Sequence, residues 1–122
     1  QALAAEYWYP RHLCRVPMPQ SLIEGLSRLN LAYAAHMIGP NLLDPTGALV
    51  EWSVADRLPS IPSPTIVISG MNDYYDPVDL EAMTRALPRG ELVMSAAAAH
   101  SSWLEDPETV FPAIDSFIAG LR

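Results

Sequence analysis

The sequence predicts an α/β fold in which strands of a mostly parallel sheet are joined by crossover helices and preceded by a helical segment. Three observations predict it. From residue 1 to about Val50, apolar residues recur at three- and four-residue spacings between proline and glycine breaks, as amphipathic helices require. After Trp52 two short apolar runs, "TIVIS" and "ELVMS", stand one helix apart, the order and connection length of parallel neighbours. Half of the 122 residues are apolar and 17% are charged, which suits a buried core in one domain or part of one.

Each element has a local reason. "ALAAEYWYPRHLCR" reads as helix broken at Pro10. "MPQSLIEGLSRLNLAYAAHMIG" places Leu22, Ile23, Leu26, Leu29 and Tyr33 on one face of a single helix, with Pro19 in its first turn and Gly39-Pro40 as its stop. "GPNLLDPTGALVEW" is loop, and the prolines of "ADRLPSIPSP" exclude helix. Thr65 to Ser69 is a β-branched run expected to be a strand buried on both faces. "DPVDLEAMTRALPRG" is a helix with Asp76 as N-cap, Pro77 in first position, and Pro88 and Gly90 closing it. Glu91 to Ser95 is the second strand, and "AAAAHSSWLE" is a loop of small residues. "DPETVFPAIDSFIAGLR" repeats the Asp-Pro start, with Val110, Phe111, Ile114, Phe117, Ile118 and Leu121 as its apolar stripe. Pro112 inside it should kink the helix or shift its start. Residues 1–50 therefore read as a helical segment and 51–122 as strands and helices of a core. Two strands do not make a stable sheet, so others must complete it.

Composition excludes several functions. Fourteen acids stand against seven bases, all arginine, for a net charge of −7, with no basic run to hold nucleic acid or an anionic membrane. Cys14 is the only cysteine, so internal disulfides and cysteine-based metal sites are ruled out, and a reducing, cytoplasmic setting is expected. No apolar run is long enough to span a bilayer, and "QALAAEYWYPRHLCR" lacks the layout of a signal peptide. Gln1 is not an initiator methionine, so a processed product or a fragment is expected. No His and carboxylate pair has ligand spacing, and the glycines form no dinucleotide or phosphate loop, so no metal and no cofactor is expected.

Functional groups in open parallel sheets collect past the carboxyl ends of the strands. Asp73 and His100 both fall there. An aspartate in that place can accept from one imidazole nitrogen and fix the tautomer, leaving the other as general base. The bland alternatives are a turn aspartate and a satisfied loop histidine. Tyr74, Tyr75 and Asp76 are candidate substrate contacts, although Asp76 has the simpler task of capping a helix. Trp103 either walls the pocket or packs on the last helix. His12 and His36 read as bystanders.

"YPRHLCR", "MIGPN", "TGALVEWSVADRLPSIPSPTIVISGMNDYYDP" and "ELVMSAAAAHSSWLEDPE" resemble the C-terminal half of proline iminopeptidase-like α/β-hydrolases. Gly70, Asp73 and Pro77 match the "G-x-x-D-x-x-x-P" strand end of that family. Ala99, His100, Glu105, Pro107 and Glu108 match its histidine loop. The resemblance implies that residues 1–50 form a lid (cap) and that Asp73 and His100 belong to a Ser-His-Asp triad. No "G-x-S-x-G" elbow is present, since no two of the six glycines are four apart. The resemblance therefore implies a partner: an N-terminal chain or half of the same hydrolase, bringing the serine and the oxyanion hole. It also implies a small amide, peptide or ester as substrate. Many members of the family have an acid after "GPN"; here that position is Leu42, which favours a more apolar substrate or an amine held elsewhere. The expected activity is hydrolysis of a small amide or peptide bond through an acyl-enzyme. The alternatives are an esterase or lactonase acting on apolar acyl groups, and an inactive binding module.

Overall fold

The computed structural model describes residues 4–40 and 45–121. Leu42, singled out above, lies outside them. The described residues open with a π-helical turn, Ala4–Trp8, that runs directly into helix α1, Tyr9–His12. The break expected at Pro10 does not occur, because Pro10 sits in the first turn of α1, where no backbone N–H is needed.

The single helix expected after Pro19 is two helices, α2 (Gln20–Ser27) and α3 (Leu31–Met37). The break has a visible cause. The Asn30 side chain accepts from the Tyr33 N–H at 3.0 Å, starting a new helix where the old one has run out. Pro19 is correspondingly the N-cap of α2, not a residue of its first turn. The interruption disperses the anticipated apolar face, and Ile23, Leu26, Leu29 and Tyr33 are exposed. A second correction concerns residues 55–60. They form a 3-10 helix that includes Pro59, a tight turn too short to be broken by one missing donor.

The core follows the predicted order. Strand β1 (Thr65–Gly70) leads through helix α4 (Pro77–Ala86) to strand β2 (Gly90–Ser95). The strands pair in parallel from Thr65 opposite Gly90 to Gly70 opposite Ser95, so both end at one rim. Asp76 caps α4 by accepting from the Val78 N–H at 2.8 Å. A short helix α5 (Ser102–Glu105) occupies what was expected to be loop, and α6 (Pro107–Gly120) follows, capped by Asp106. Helix α6 starts at the Asp-Pro pair as predicted and continues through Pro112.

Burial departs from expectation. Among the described residues the sheet has two strands, so Ile66, Val67 and Ile68 are only half-buried where burial on both faces was expected. On the α6 stripe Val110 is buried, while Phe111, Ile118 and Leu121 are exposed. Full burial is concentrated near the strand ends, at Ser69, Gly70, Ser95, Ala98, Ala99, Ser101 and Ser102. The most tightly packed part of the chain is therefore the rim on which Asp73 and His100 sit.

Candidate active site

Asp73 leaves the end of β1 in a turn closed by its own N–H donating to the Gly70 carbonyl at 3.1 Å. Its side chain turns back into the protein and is 3% exposed. Burial of a carboxylate is tolerated only when its oxygens are satisfied. Oδ2 accepts from the Ser69 hydroxyl at 2.7 Å, and Oδ1 from the Tyr74 N–H at 2.6 Å, with the Tyr75 N–H farther off at 3.4 Å. His100 Nδ1 lies 3.3 Å from both oxygens. The strand's last residues and the turn that follows thus hold the carboxylate rigidly against the ring.

The His100 side chain is 33% exposed, so one edge of the ring is open. With Nδ1 donating to Asp73, Nε2 is the unprotonated nitrogen of the neutral ring. The Tyr74 hydroxyl donates to it from 3.3 Å. The Tyr74 ring also packs against His100, Tyr75 and Trp8, with centroids 4.6, 4.5 and 5.5 Å apart. Burial, with Tyr75 and Asp73 nearby, pushes the Tyr74 phenol well above its ordinary range, so it stays protonated.

The loop carrying His100 is pinned on all sides. Ala98 O accepts from both the backbone and the side-chain amide of Asn72, at 3.0 and 3.2 Å. Ala98 N–H donates to Ser95 Oγ at 3.1 Å, and that hydroxyl donates to Asp106 at 2.6 Å. The two hydrogen bonds from Ser95 and Thr109 hold the Asp106 carboxyl below its ordinary range. Ala99 N–H donates to Glu105 Oε2 at 3.0 Å. A Cβ on Gly70 would collide with the Ala98 carbonyl, so glycine is required for the two loops to meet.

The N-terminal segment supplies the remaining contacts. The N–H groups of His100 and Ser101 donate to the carbonyls of His12 and Leu13 at 3.2 and 2.9 Å, and Arg15 donates to Ala97 O at 2.7 Å. His12 Nδ1 donates to Asn72 O at 2.9 Å, and Cys14 is buried alongside. His12 is therefore a structural tie and not a bystander. Pattern reading missed this strap because partners such as Arg15 and Ala97, 82 residues apart, leave no periodic signal. Ser69 was missed for a related reason, since a serine ending a strand is locally unremarkable.

A groove of about 1120 Å³ opens beside the pair. His100, Asp73, Ser69, Tyr75 and Trp103 line it, with Trp52, Val54 and Leu58 among its apolar walls. Tyr75, a candidate contact, and Trp103, for which either a pocket wall or packing on the last helix was expected, line this groove. Tyr74 stands over the imidazole instead. Asp76 is not part of the lining, and its Oδ1 is engaged in capping α4. Among the described residues no cluster of three or more His, Cys, Asp or Glu side chains could hold a metal, and no helix is long and apolar enough to cross a membrane.

Two parallel strands with this crossover, flanked by α6, define the fold of the C-terminal part of an α/β-hydrolase. Comparison with known proteins gives the same class and narrows it. The chain is 30% identical to proline iminopeptidase of Mycobacterium smegmatis, whose crystal structure it matches with a TM-score of 0.86 over 98% of this chain and 41% of that one. The structure of VinJ matches at 28% identity and a TM-score of 0.85, over 98% and 41%. In sequence, proline iminopeptidase of Chitinophaga pinensis is 29% identical over 119 residues, 95% of this chain and 40% of that protein. A polyketide synthase of Burkholderia thailandensis, ThaQ, is 32% identical over 77 residues, 62% of this chain and 4% of that protein. No family model matches. The chain thus resembles the C-terminal half of a proline iminopeptidase-like α/β-hydrolase and spans about two fifths of the length of the curated relatives it matches first.

Proposed function

We propose that this chain supplies the aspartate and histidine of a Ser-His-Asp triad in a hydrolase of small amide or peptide bonds. The single observation that carries the reading is the buried Asp73 carboxylate, locked by Ser69 and Tyr74 and set 3.3 Å from His100 Nδ1. The similarity to proteins named proline iminopeptidase supports it. The serine and oxyanion hole come from an N-terminal part of the same hydrolase, whether on a longer polypeptide or a second chain. The half-buried face of β1 and the exposed side of α6 are apolar surfaces of the kind that further protein covers. Residues 1–50 act as the lid (cap) segment of that hydrolase.

The chemistry follows from the two nitrogens of His100. Nε2 takes the proton as the serine oxygen bonds to the substrate carbonyl carbon, and Asp73 stabilises the resulting imidazolium. The proton passes to the leaving amine as its bond to carbon breaks, giving an acyl-enzyme and a free amine. Water then attacks the acyl carbon, losing its proton to Nε2. The proton returns to the serine oxygen as the acid departs. The Tyr74 hydroxyl must turn from Nε2 before the serine can reach it.

A fluorophosphonate probe applied to the complete hydrolase should label one serine, and His100→Ala should abolish labelling and lower turnover by roughly 10⁴-fold or more. A His100→Ala protein that retains turnover refutes the assignment, and an unlabelled parent protein points to an inactive binding module. The apolar groove walls at Trp52, Val54 and Leu58 favour a second reading, an esterase or lactonase for apolar acyl groups. Faster turnover of simple esters than of aminoacyl amides would select it.

A further inference from the structure

Glu105 carries an oddity that the triad does not use. Its Oε2 accepts the Ala99 N–H at 3.0 Å, yet its Oε1 is buried with no hydrogen-bond partner among the described residues. A half-satisfied buried carboxylate weakens a fold where an apolar side chain would pack at no such cost. Its presence therefore calls for a task other than packing. The task is visible in what the satisfied oxygen holds, because Ala99 immediately precedes His100 in the chain.

Ala99 is fully buried, and its N–H belongs to the same peptide group as the Ala98 carbonyl that Asn72 holds. Ala98 is fastened to β2 through Ser95 and to the Asp73 loop through Asn72, while His100 N–H is fastened to the N-terminal strap. Between those two ties, the Ala99 N–H and the Ala98 carbonyl are the two ends of one peptide plane, which Glu105 and Asn72 hold from opposite edges. If that N–H were released, the Ala98–Ala99 peptide would be held at its carbonyl alone and could tilt, shifting the Ala99 Cα from which the chain enters His100 and disturbing a contact already long at 3.3 Å.

We infer that Glu105 is a positioning residue for His100, holding the Ala99 N–H so that the imidazole stays in register with Asp73. The inference rests on the triad reading proposed above. It explains why a side chain of this length with an oxygen at its tip occupies this place, since that oxygen reaches the Ala99 N–H at 3.0 Å. Glu105 is not among the residues lining the groove and its hydrogen bond is to the backbone, so its effect reaches the reaction through the backbone.

Three substitutions in the complete hydrolase test this. Glu105→Met keeps the length and removes the acceptor. Glu105→Asp keeps the charge but draws the oxygen back from Ala99. Glu105→Gln keeps an oxygen that can accept the same bond. The expected result is a kcat lower by about tenfold to a hundredfold in the first two, with KM within twofold, and recovery of most of that loss by Gln. The His100 Nδ1 proton resonance should be lost to solvent exchange in Glu105→Met and return in Glu105→Gln. Should Met prevent folding, the Asp variant carries the test. Activity within twofold of the parent in the folded Met or Asp variant overturns the inference, as does equal damage by Gln. Failure of the triad reading has a different signature, namely a His100→Ala protein as active as the parent.

Discussion

Replacing Gly70 with alanine adds one methyl group at the point where the Asp73 and His100 loops touch. That methyl carbon would lie 2.5 Å from Ala99 O and still closer to the Ala98 carbonyl, where ordinary contact begins at 3.4 Å. The obstacles are backbone atoms and cannot swing aside like the end of a side chain. Clearing Ala99 alone requires a shift of about 0.9 Å, and Ala98 requires more. The shift separates the end of β1 from the loop that precedes His100. The 3.3 Å contacts between His100 and Asp73 are near the outer limit of a hydrogen bond and would open beyond it. Misplacement of this size costs on the order of a hundredfold in rate, about 2.7 kcal/mol of transition-state stabilisation. Overpacking a tight core costs roughly 1–3 kcal/mol of stability as well. Steady-state kinetics on the complete hydrolase, with thermal unfolding in parallel, separates the two effects. Under the triad reading, Gly70→Ala protein that is folded and within twofold of the parent kcat/KM would refute the claim that this contact sets the registry of the pair.

Two further outcomes follow from the same geometry. Ser69→Ala removes a hydroxyl, 3% exposed, that donates to Asp73 at 2.7 Å, leaving one carboxylate oxygen underserved. The loss of such a charge-assisted bond costs about 1.5–3 kcal/mol of stability, read as a lower unfolding midpoint, and turnover of the complete hydrolase should fall as Asp73 loses its fixed orientation. The raised Tyr74 phenol predicts alkaline behaviour with a definite sign. The folded protein keeps the proton at a pH where the unfolded chain has lost it, so this contribution to stability is present below the ordinary phenol range and lost as pH rises above it. Ultraviolet titration of the folded parent should show one tyrosine fewer ionising in the normal range than the same protein unfolded in denaturant, and the fall in unfolding midpoint at alkaline pH should be shallower in folded Tyr74→Phe.

Much of this was legible in the chain because it depends on neighbours in sequence. Asp76 and Asp106 before their prolines start helices by bonds to residues two or three positions on, and the β-branched run of Thr65 to Ser69 favours an extended backbone. The positions of Asp73 and His100 past successive strand ends follow from strand order alone. Where local signals misled, the competing force was also identifiable. Asn30 captured an N–H that an uninterrupted helix would have used, and Pro10 sat where a helix tolerates it. Sequence by itself therefore determined the order of strands and helices, the caps, and the rim on which the acid and base stand. Only the tertiary structure decided that Ser69 grips Asp73, that Gly70 must be bare, and that His12 to Arg15 and Glu105 clamp the histidine loop. Those contacts join residues remote in the chain or buried against backbone, and no spacing rule encodes a meeting that exists only once the strands have paired.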